Sequence, residues 1–301
     1  MKMRVIEAFI RRAAMVNDRF VLKGSAVTRQ FLLDCNGEST RRVDDLDWVA
    51  IDPLDRTKLD RWASAVTETE CGDGVSFSSF TDDSFWNSLD YVESEDFPTV
   101  STDLVARIGE EEFIVGLDVS FGLPINASMN GLRYQCVDGA IIHVPLAISL
   151  ETQIAWKLHQ TLLRMRLKDI YDIIRLLEKN EIRPIVVVEN LQKEATLYPV
   201  NLLDLAFVVE NRLQEHPQFP RQSESHRLMP YSEPSLGEVW DLWRHGITLP
   251  RVGFFEQANG WQEIVTNEAE IPSTLEEFVE GLASALESSG LTSAFRTAGW
   301  T

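Results

Sequence analysis

The stretch Val43-Asp44-Asp45-Leu46-Asp47-Trp48-Val49-Ala50-Ile51 decides how this chain folds. Its apolar, β-branched flanks are strand-forming. Successive side chains of a strand point to opposite faces, so Asp45 and Asp47 leave one face and Leu46 the other. Two carboxylates on one side of a buried strand are costly unless something neutralises them, and a divalent cation does so. A third carboxylate, Asp118, lies in another strand-like run, Phe113-Ile114-Val115-Gly116-Leu117-Asp118-Val119. If the two strands are neighbours, three carboxylates converge on one or two hard cations. Such oxygen ligands select Mg²⁺ or Mn²⁺, which usually hold substrate phosphates as well. A D-x-D pair standing alone also occurs as solvated turn aspartates, so the surrounding sequence has to decide.

Upstream, Arg19-Phe20-Val21-Leu22 reads as a short strand, Lys23-Gly24-Ser25 as a turn and Ala26 to Cys35 as a helix. That order aims the N–H groups of a helix start, together with the Ser25 hydroxyl, at an anion. Gly24 lets the backbone approach a phosphate with no Cβ in the way. Followed by a D-x-D strand, the arrangement resembles a nucleotidyltransferase signature, in which one element cradles a triphosphate and the next supplies the metal.

Four motifs in order carry a closer resemblance: Gly24-Ser25, Asp45-x-Asp47, the single Asp118, and Lys157-Leu158-x5-Arg164 with Arg166-x-Lys168-Asp169-Ile170-Tyr171-Asp172. Over roughly Val21 to Leu176 the chain resembles the AbiEii/AbiGii toxin-like nucleotidyltransferases, the group that includes the MenT toxins of type IV toxin–antitoxin systems. Two departures stand out. Family members often carry Ser or Thr two residues before the first metal aspartate, where this chain has Val43. The stretch from Ser25 to Asp45 is also long, with the excess in the polar loop Asn36 to Arg42. Neither removes a carboxylate.

The resemblance implies an α+β architecture: a polymerase-beta-like, mixed-sheet nucleotidyltransferase domain over residues 1–148, then a mainly α-helical domain over 149–301. It implies Asp45, Asp47 and Asp118 as metal ligands. With Lys157 and Asp169 they form the catalytic set. Lys23, Gly24, Ser25, Lys157, Arg164, Arg166 and Lys168 contact the nucleotide. Lys157 reaches the triphosphate as a compact point charge, and Asp169 orders Lys157 or assists the metal site. Two ions, ~3.5–4 Å apart, then stabilise the attacking and leaving oxygens. The implied activity is Mg²⁺- or Mn²⁺-dependent transfer of NMP from an NTP to the 3′ end of tRNA, blocking translation. A cognate antitoxin restrains the enzyme, and a role in phage defence fits the same family. Two rivals keep part of this reading: transfer to a protein side chain, and a regulator that binds nucleotide without transferring it.

Composition bounds the alternatives. The 301 residues are 44% hydrophobic, enough for two cored domains. There is no apolar run of about 18 residues, so no membrane-spanning helix is expected. The N-terminus, Met1-Lys2-Met3-Arg4, leads into an amphipathic segment with Arg11-Arg12 and lacks a signal core. Cys35, Cys71 and Cys136 are widely spaced with no C-x-x-C, as for reduced thiols in a cytoplasm. The net charge of −19 is unusual for a nucleic-acid binder, whose affinity rests on phosphate contacts. It is uneven, however. From Arg251 onward there are eight Glu, two Arg and no Lys. That acidic end reads as a solvated surface or as a dock for a basic partner. Arg41-Arg42 and Arg164-x-Arg166-x-Lys168 flank the expected site as a basic rim.

Periodicity gives the remaining elements. Helices are expected over Arg4 to Asn17 and Asp55 to Glu68, and one short strand over Val75–Phe80 in a polar stretch from Cys71 to Ser101. A hairpin of Val100–Ile108 and Phe113–Ser120 turns at Gly109-Glu110, and shorter strands follow at Leu132–Cys136 and Ile141–Val144. After Pro145 the pattern is helical to Ser289. Lys157, Arg164, Lys168 and Asp172 are spaced by seven, four and four, one face of an unbroken helix. A break at Met165–Lys168, with Asp169 capping a second helix, is the alternative. His143 and His159 lack a His/Cys cluster and read as structural or surface residues. Trp48, Trp156 and Tyr171 read as core.

Overall fold

The computed structural model describes residues 1–80, 86–89, 99–125, 130–216, 234–248 and 260–301. The chain divides into two units, Met1–Ser149 and Leu150–Thr301. The first contains helix α1 (Lys2–Val16), strand β1 (Phe20–Lys23), helix α2 (Gly24–Phe31), strand β2 (Asp45–Ala50) and helix α3 (Arg56–Glu68). Strands β3 (Val75–Phe77), β4 (Asn87–Leu89), β5 (Thr99–Ile108), β6 (Glu111–Ser120), β7 (Asn130–Gln135) and β8 (Ile141–Ala147) follow. They form one eight-stranded sheet in the order β3-β5-β6-β2-β1-β8-β7, with β4 also on β5. The sheet is mixed: β2 runs parallel to β6 and antiparallel to β1, and β1 runs parallel to β8.

Hydrophobic alternation fixes which face of β2 is which. Leu46 and Trp48 are buried with Val115, Leu117 and Val119 of β6. Phe9 of α1 and Trp62 of α3 meet them: the Trp62 ring lies edge-on to Phe9 at 5.8 Å and to Trp48 at 5.4 Å, and stacks on Phe20 at 4.0 Å. Such aromatic pairs add ~0.5–1.5 kcal/mol each beyond their buried area. The cluster locks the register, because a one-residue slip would exchange every side chain between faces. Asp45 and Asp47 are thereby held on the opposite face. Asp55 caps α3, accepting hydrogen bonds from the Thr57 and Lys58 N–H groups at 3.0 and 3.2 Å.

Several boundaries differ from the sequence expectation. Helix α2 starts at Gly24, so Gly24-Ser25 is its first turn and Lys23 its N-cap; it ends at Phe31, short of Cys35. Strand β3 stops at Phe77, although Phe80 is buried. Strand β8 runs through Pro145 to Ala147, where it pairs with Leu22 of β1.

The second unit is helical. It contains α4 (Leu150–Leu163), α5 (Leu167–Lys179), α6 (Pro184–Leu197), α7 (Leu205–Val209), α8 (Leu236–Arg244), α9 (Leu275–Ser288) and α10 (Leu291–Thr297), and no strand occurs among its described residues. Ile154, Leu158, Ile170, Ile173, Val187, Leu191, Phe278 and Leu282 are buried there, and Trp240 packs on Phe278 at 4.8 Å. The expectation of helix after Pro145 falls partly on 217–233 and 249–259, outside the described residues. The chain breaks between α4 and α5, with extended Arg166 as the N-cap of α5. Asp169 therefore lies in the first turn of α5 and is not its cap.

Candidate active site

Parallel pairing of β2 with β6 sets Asp47 abreast of Asp118 and Asp45 abreast of Gly116. Lys23 stands opposite Asp47 across β1, and Ser101 opposite Asp118 across β5. The result is a row of four polar residues, Lys23–Asp47–Asp118–Ser101, crossing four adjacent strands on one face. One carboxylate oxygen from each of Asp45, Asp47 and Asp118 lies within 4.8 Å of the other two.

Each carboxylate is held by a donor. Ser25 Oγ donates to Asp45 Oδ1 at 3.0 Å, and Lys23 Nζ donates to Asp47 Oδ1 at 3.4 Å. Ser101 Oγ donates to Asp118 Oδ1. Gly24 completes the packing at a positive φ of 73°, where a Cβ would sit 1.9 Å from Asp47 Oδ2. The loop-to-helix turn thus seats on a carboxylate, and no other residue type fits there. Burial lifts the Asp118 carboxyl above its ordinary pKa; the Ser101 hydrogen bond opposes this, and the charge of Asp47 reinforces it.

Three converging carboxylates on a half-buried face repel one another, and their oxygens form a donor set for a hard divalent cation. The residues fit such an ion.

Similarity in structure now bears on the fold. The chain is similar to MenT4, a nucleotidyltransferase toxin from Mycobacterium tuberculosis, at a TM-score of 0.51 and 13% identity, over 99% of this chain and 86% of that one. The fold is that of a nucleotidyltransferase. JHP933 from Helicobacter pylori aligns over 99% of this chain and 95% of its own, at 13% identity and a TM-score of 0.49. No model of a protein family matches the chain, and no curated protein does. The AbiEii/AbiGii resemblance therefore rests on the four motifs alone.

The other predicted residues gather within the helical unit. Lys157 Nζ lies 2.7 Å from Asp169 Oδ1 and 2.8 Å from Asp172 Oδ2, and Arg166 Nε is 3.3 Å from Asp169 Oδ2. Lys157, Asp169 and Asp172 are buried. Burial works against the Asp169 carboxylate, yet the charges of Arg166, Lys157 and Lys168 outweigh it and hold its pKa well below the carboxylate range. Arg164 is buried, while Arg166 and Lys168 are half-buried. His159 is buried and its Nε2 meets the Tyr198 carbonyl at 2.7 Å, a structural role. His143 is exposed; Trp48 and Tyr171 are core, and Trp156 is half-buried.

Two features of the site escaped the sequence reading. Ser101 was signalled by the hairpin: counting back from the Gly109-Glu110 turn pairs it with Asp118. Arg41, expected on the surface, is only 8% exposed, and its guanidinium donates to the Arg42 carbonyl at 2.6 Å. Only Arg42 of that pair is exposed.

Proposed function

We propose that this chain is a divalent-cation-dependent nucleotidyltransferase, acting on an RNA acceptor, the 3′ end of tRNA, as a toxin-like enzyme restrained by a cognate antitoxin. The observation that carries the reading is the convergence of Asp45, Asp47 and Asp118 beside the Gly24-Ser25 helix start. Bound to these carboxylates, a divalent cation such as Mg²⁺ would supply charge for the nucleotide phosphates and lower the pKa of an attacking hydroxyl. Lys23, Ser25 and the first N–H groups of α2 receive the pyrophosphate portion. The acceptor oxygen bonds to the α-phosphorus, the bridging bond to the β-phosphate breaks, pyrophosphate leaves with that electron pair, and the acceptor proton passes to solvent. The four-motif resemblance further assigns Lys157, Arg164, Arg166 and Lys168 to the nucleotide and Asp169 to the catalytic set. Likeness in fold to MenT4 supports the toxin-like reading, and the motif family supports tRNA and the antitoxin.

A second reading, transfer to a protein side chain, is favoured by the net charge of −19. The two separate when purified protein is incubated with each labelled NTP, Mg²⁺, tRNA and cell protein. Label on tRNA is the expected result. Label confined to protein and indifferent to tRNA overturns the choice of acceptor.

A further inference from the structure

The geometry points to Gly116 as the residue that clears the acceptor's path to Asp118, an inference that rests on the transferase reading above. Gly116 lies inside the ten-residue strand β6, between Asp45 of β2 and Asp103 of β5. Neither the backbone conformation nor packing among the described residues calls for glycine there. Its φ is not positive, and an added Cβ would meet nothing within 4 Å among the described residues. Gly24 is the contrast, with a positive φ and a Cβ position already filled by Asp47. A glycine inside a strand weakens it, and one that nothing in the fold requires marks close approach by something else.

The row of polar residues says what approaches. Lys23 and the start of α2 stand at the β1 end of the row, where pyrophosphate leaves. In phosphoryl transfer the attacking and leaving oxygens are roughly in line across phosphorus. The acceptor hydroxyl therefore arrives from the other end, over β6 and β5. Moving along that face from Asp118, Gly116 and then Ile114 follow in steps of roughly 7 Å. Asp103 is exposed beside Gly116, and Val105 pairs with Ile114, which is 58% exposed. Arg107, further along the same face of β5, is bonded to Glu112 at 2.9 Å. This surface suits the terminal nucleoside of an RNA, with its sugar over Gly116 within reach of Asp103 and its base on Ile114 and Val105.

Gly116→Ala and Gly116→Val test the assignment through binding as well as turnover. Unfolding midpoints should stay level or rise, because a β-branched residue suits a strand. Calorimetric affinities for Mn²⁺ and for a non-hydrolysable NTP should match the wild type. Transfer to RNA by Gly116→Val should fall ~100-fold, the order expected when the acceptor is displaced by an ångström or so, with a raised acceptor KM; Gly116→Ala should fall between. Wild-type transfer by Gly116→Val overturns the inference, as does a lowered unfolding midpoint, which denies the open space. Lost nucleotide affinity overturns it too, by putting the nucleotide over Gly116. A wild-type protein that binds Mn²⁺ and nucleotide but labels no acceptor sinks the transferase reading itself, and the inference with it.

Discussion

At the scale of single residues, the balance of charge around each carboxylate decides behaviour. Replacing Asp47 or Asp118 by Asn removes a ligand and part of a mutual repulsion. Mn²⁺ binding should vanish in calorimetry while the unfolding midpoint holds or rises; unimpaired Mn²⁺ binding would refute the triad as a metal site. Glu7 presents a separate, purely structural case. It is buried in α1, where Val137 N–H donates to its Oε1 at 2.9 Å. Burial raises its pKa from 4.5 to about 7. Between those pH values the native state holds a proton that the unfolded chain releases, so the stabilising contribution is complete below the lower value and lost as pH climbs through the upper. Glu7→Gln should therefore be more stable than the wild type at about pH 8, by at most about 3 kcal/mol, and close to it at about pH 5. Denaturant unfolding at the two pH values measures this, and a difference independent of pH would contradict it.

At the scale of elements, the site is a product of strand register and one helix start, and each was legible in part. The alternation Asp45-Leu46-Asp47-Trp48 exposed the faces of β2, and the Gly109-Glu110 turn fixed the β5–β6 hairpin. Pairing between β2 and β6 is a long-range fact that no local pattern encodes. The start of α2 was misplaced by two residues because Gly24 and Ser25 have turn-forming chemistry, and contact with Asp47 and Asp45 draws them into the helix instead. Gly24→Ala should accordingly lose at least ~1 kcal/mol of stability, since it adds a clash to an unfavourable φ. An unchanged unfolding midpoint would show that the turn can relax. The α4–α5 break was legible as one of two options; tertiary pairing of Lys157 with Asp169 and Asp172 accompanies the broken form. Lys157→Ala leaves two buried carboxylates without that ammonium, so about 3 kcal/mol of stability should go with it. An activity loss in this variant has to be read beside its unfolding curve.

At the scale of the whole molecule, the succession of strands and then helices was legible because hydrophobic period changes from two to about 3.6 along the chain, while the α+β class with a mixed sheet was implied by the four-motif resemblance. The acceptor was not legible, since recognition of a partner depends on surfaces that fold from distant segments. Arg41 illustrates the point: a basic dipeptide in sequence becomes one buried and one exposed arginine in the fold. With a net charge of −19, the proposed RNA acceptor is expected to meet few basic side chains. The logarithm of RNA affinity should fall with log salt at a slope matching roughly two or three phosphate contacts, and a slope several times steeper would mean an RNA surface elsewhere. The most direct test of the central claim is nucleotide transfer itself. Wild-type protein, Asp47→Asn and Asp118→Asn are incubated with labelled NTP, tRNA and Mg²⁺, and both label on RNA and released pyrophosphate are counted. Equal amounts of the two are expected from the wild type, nothing from either variant, and nothing when the metal is chelated. Undiminished transfer by either variant, or transfer without a divalent cation, would contradict it.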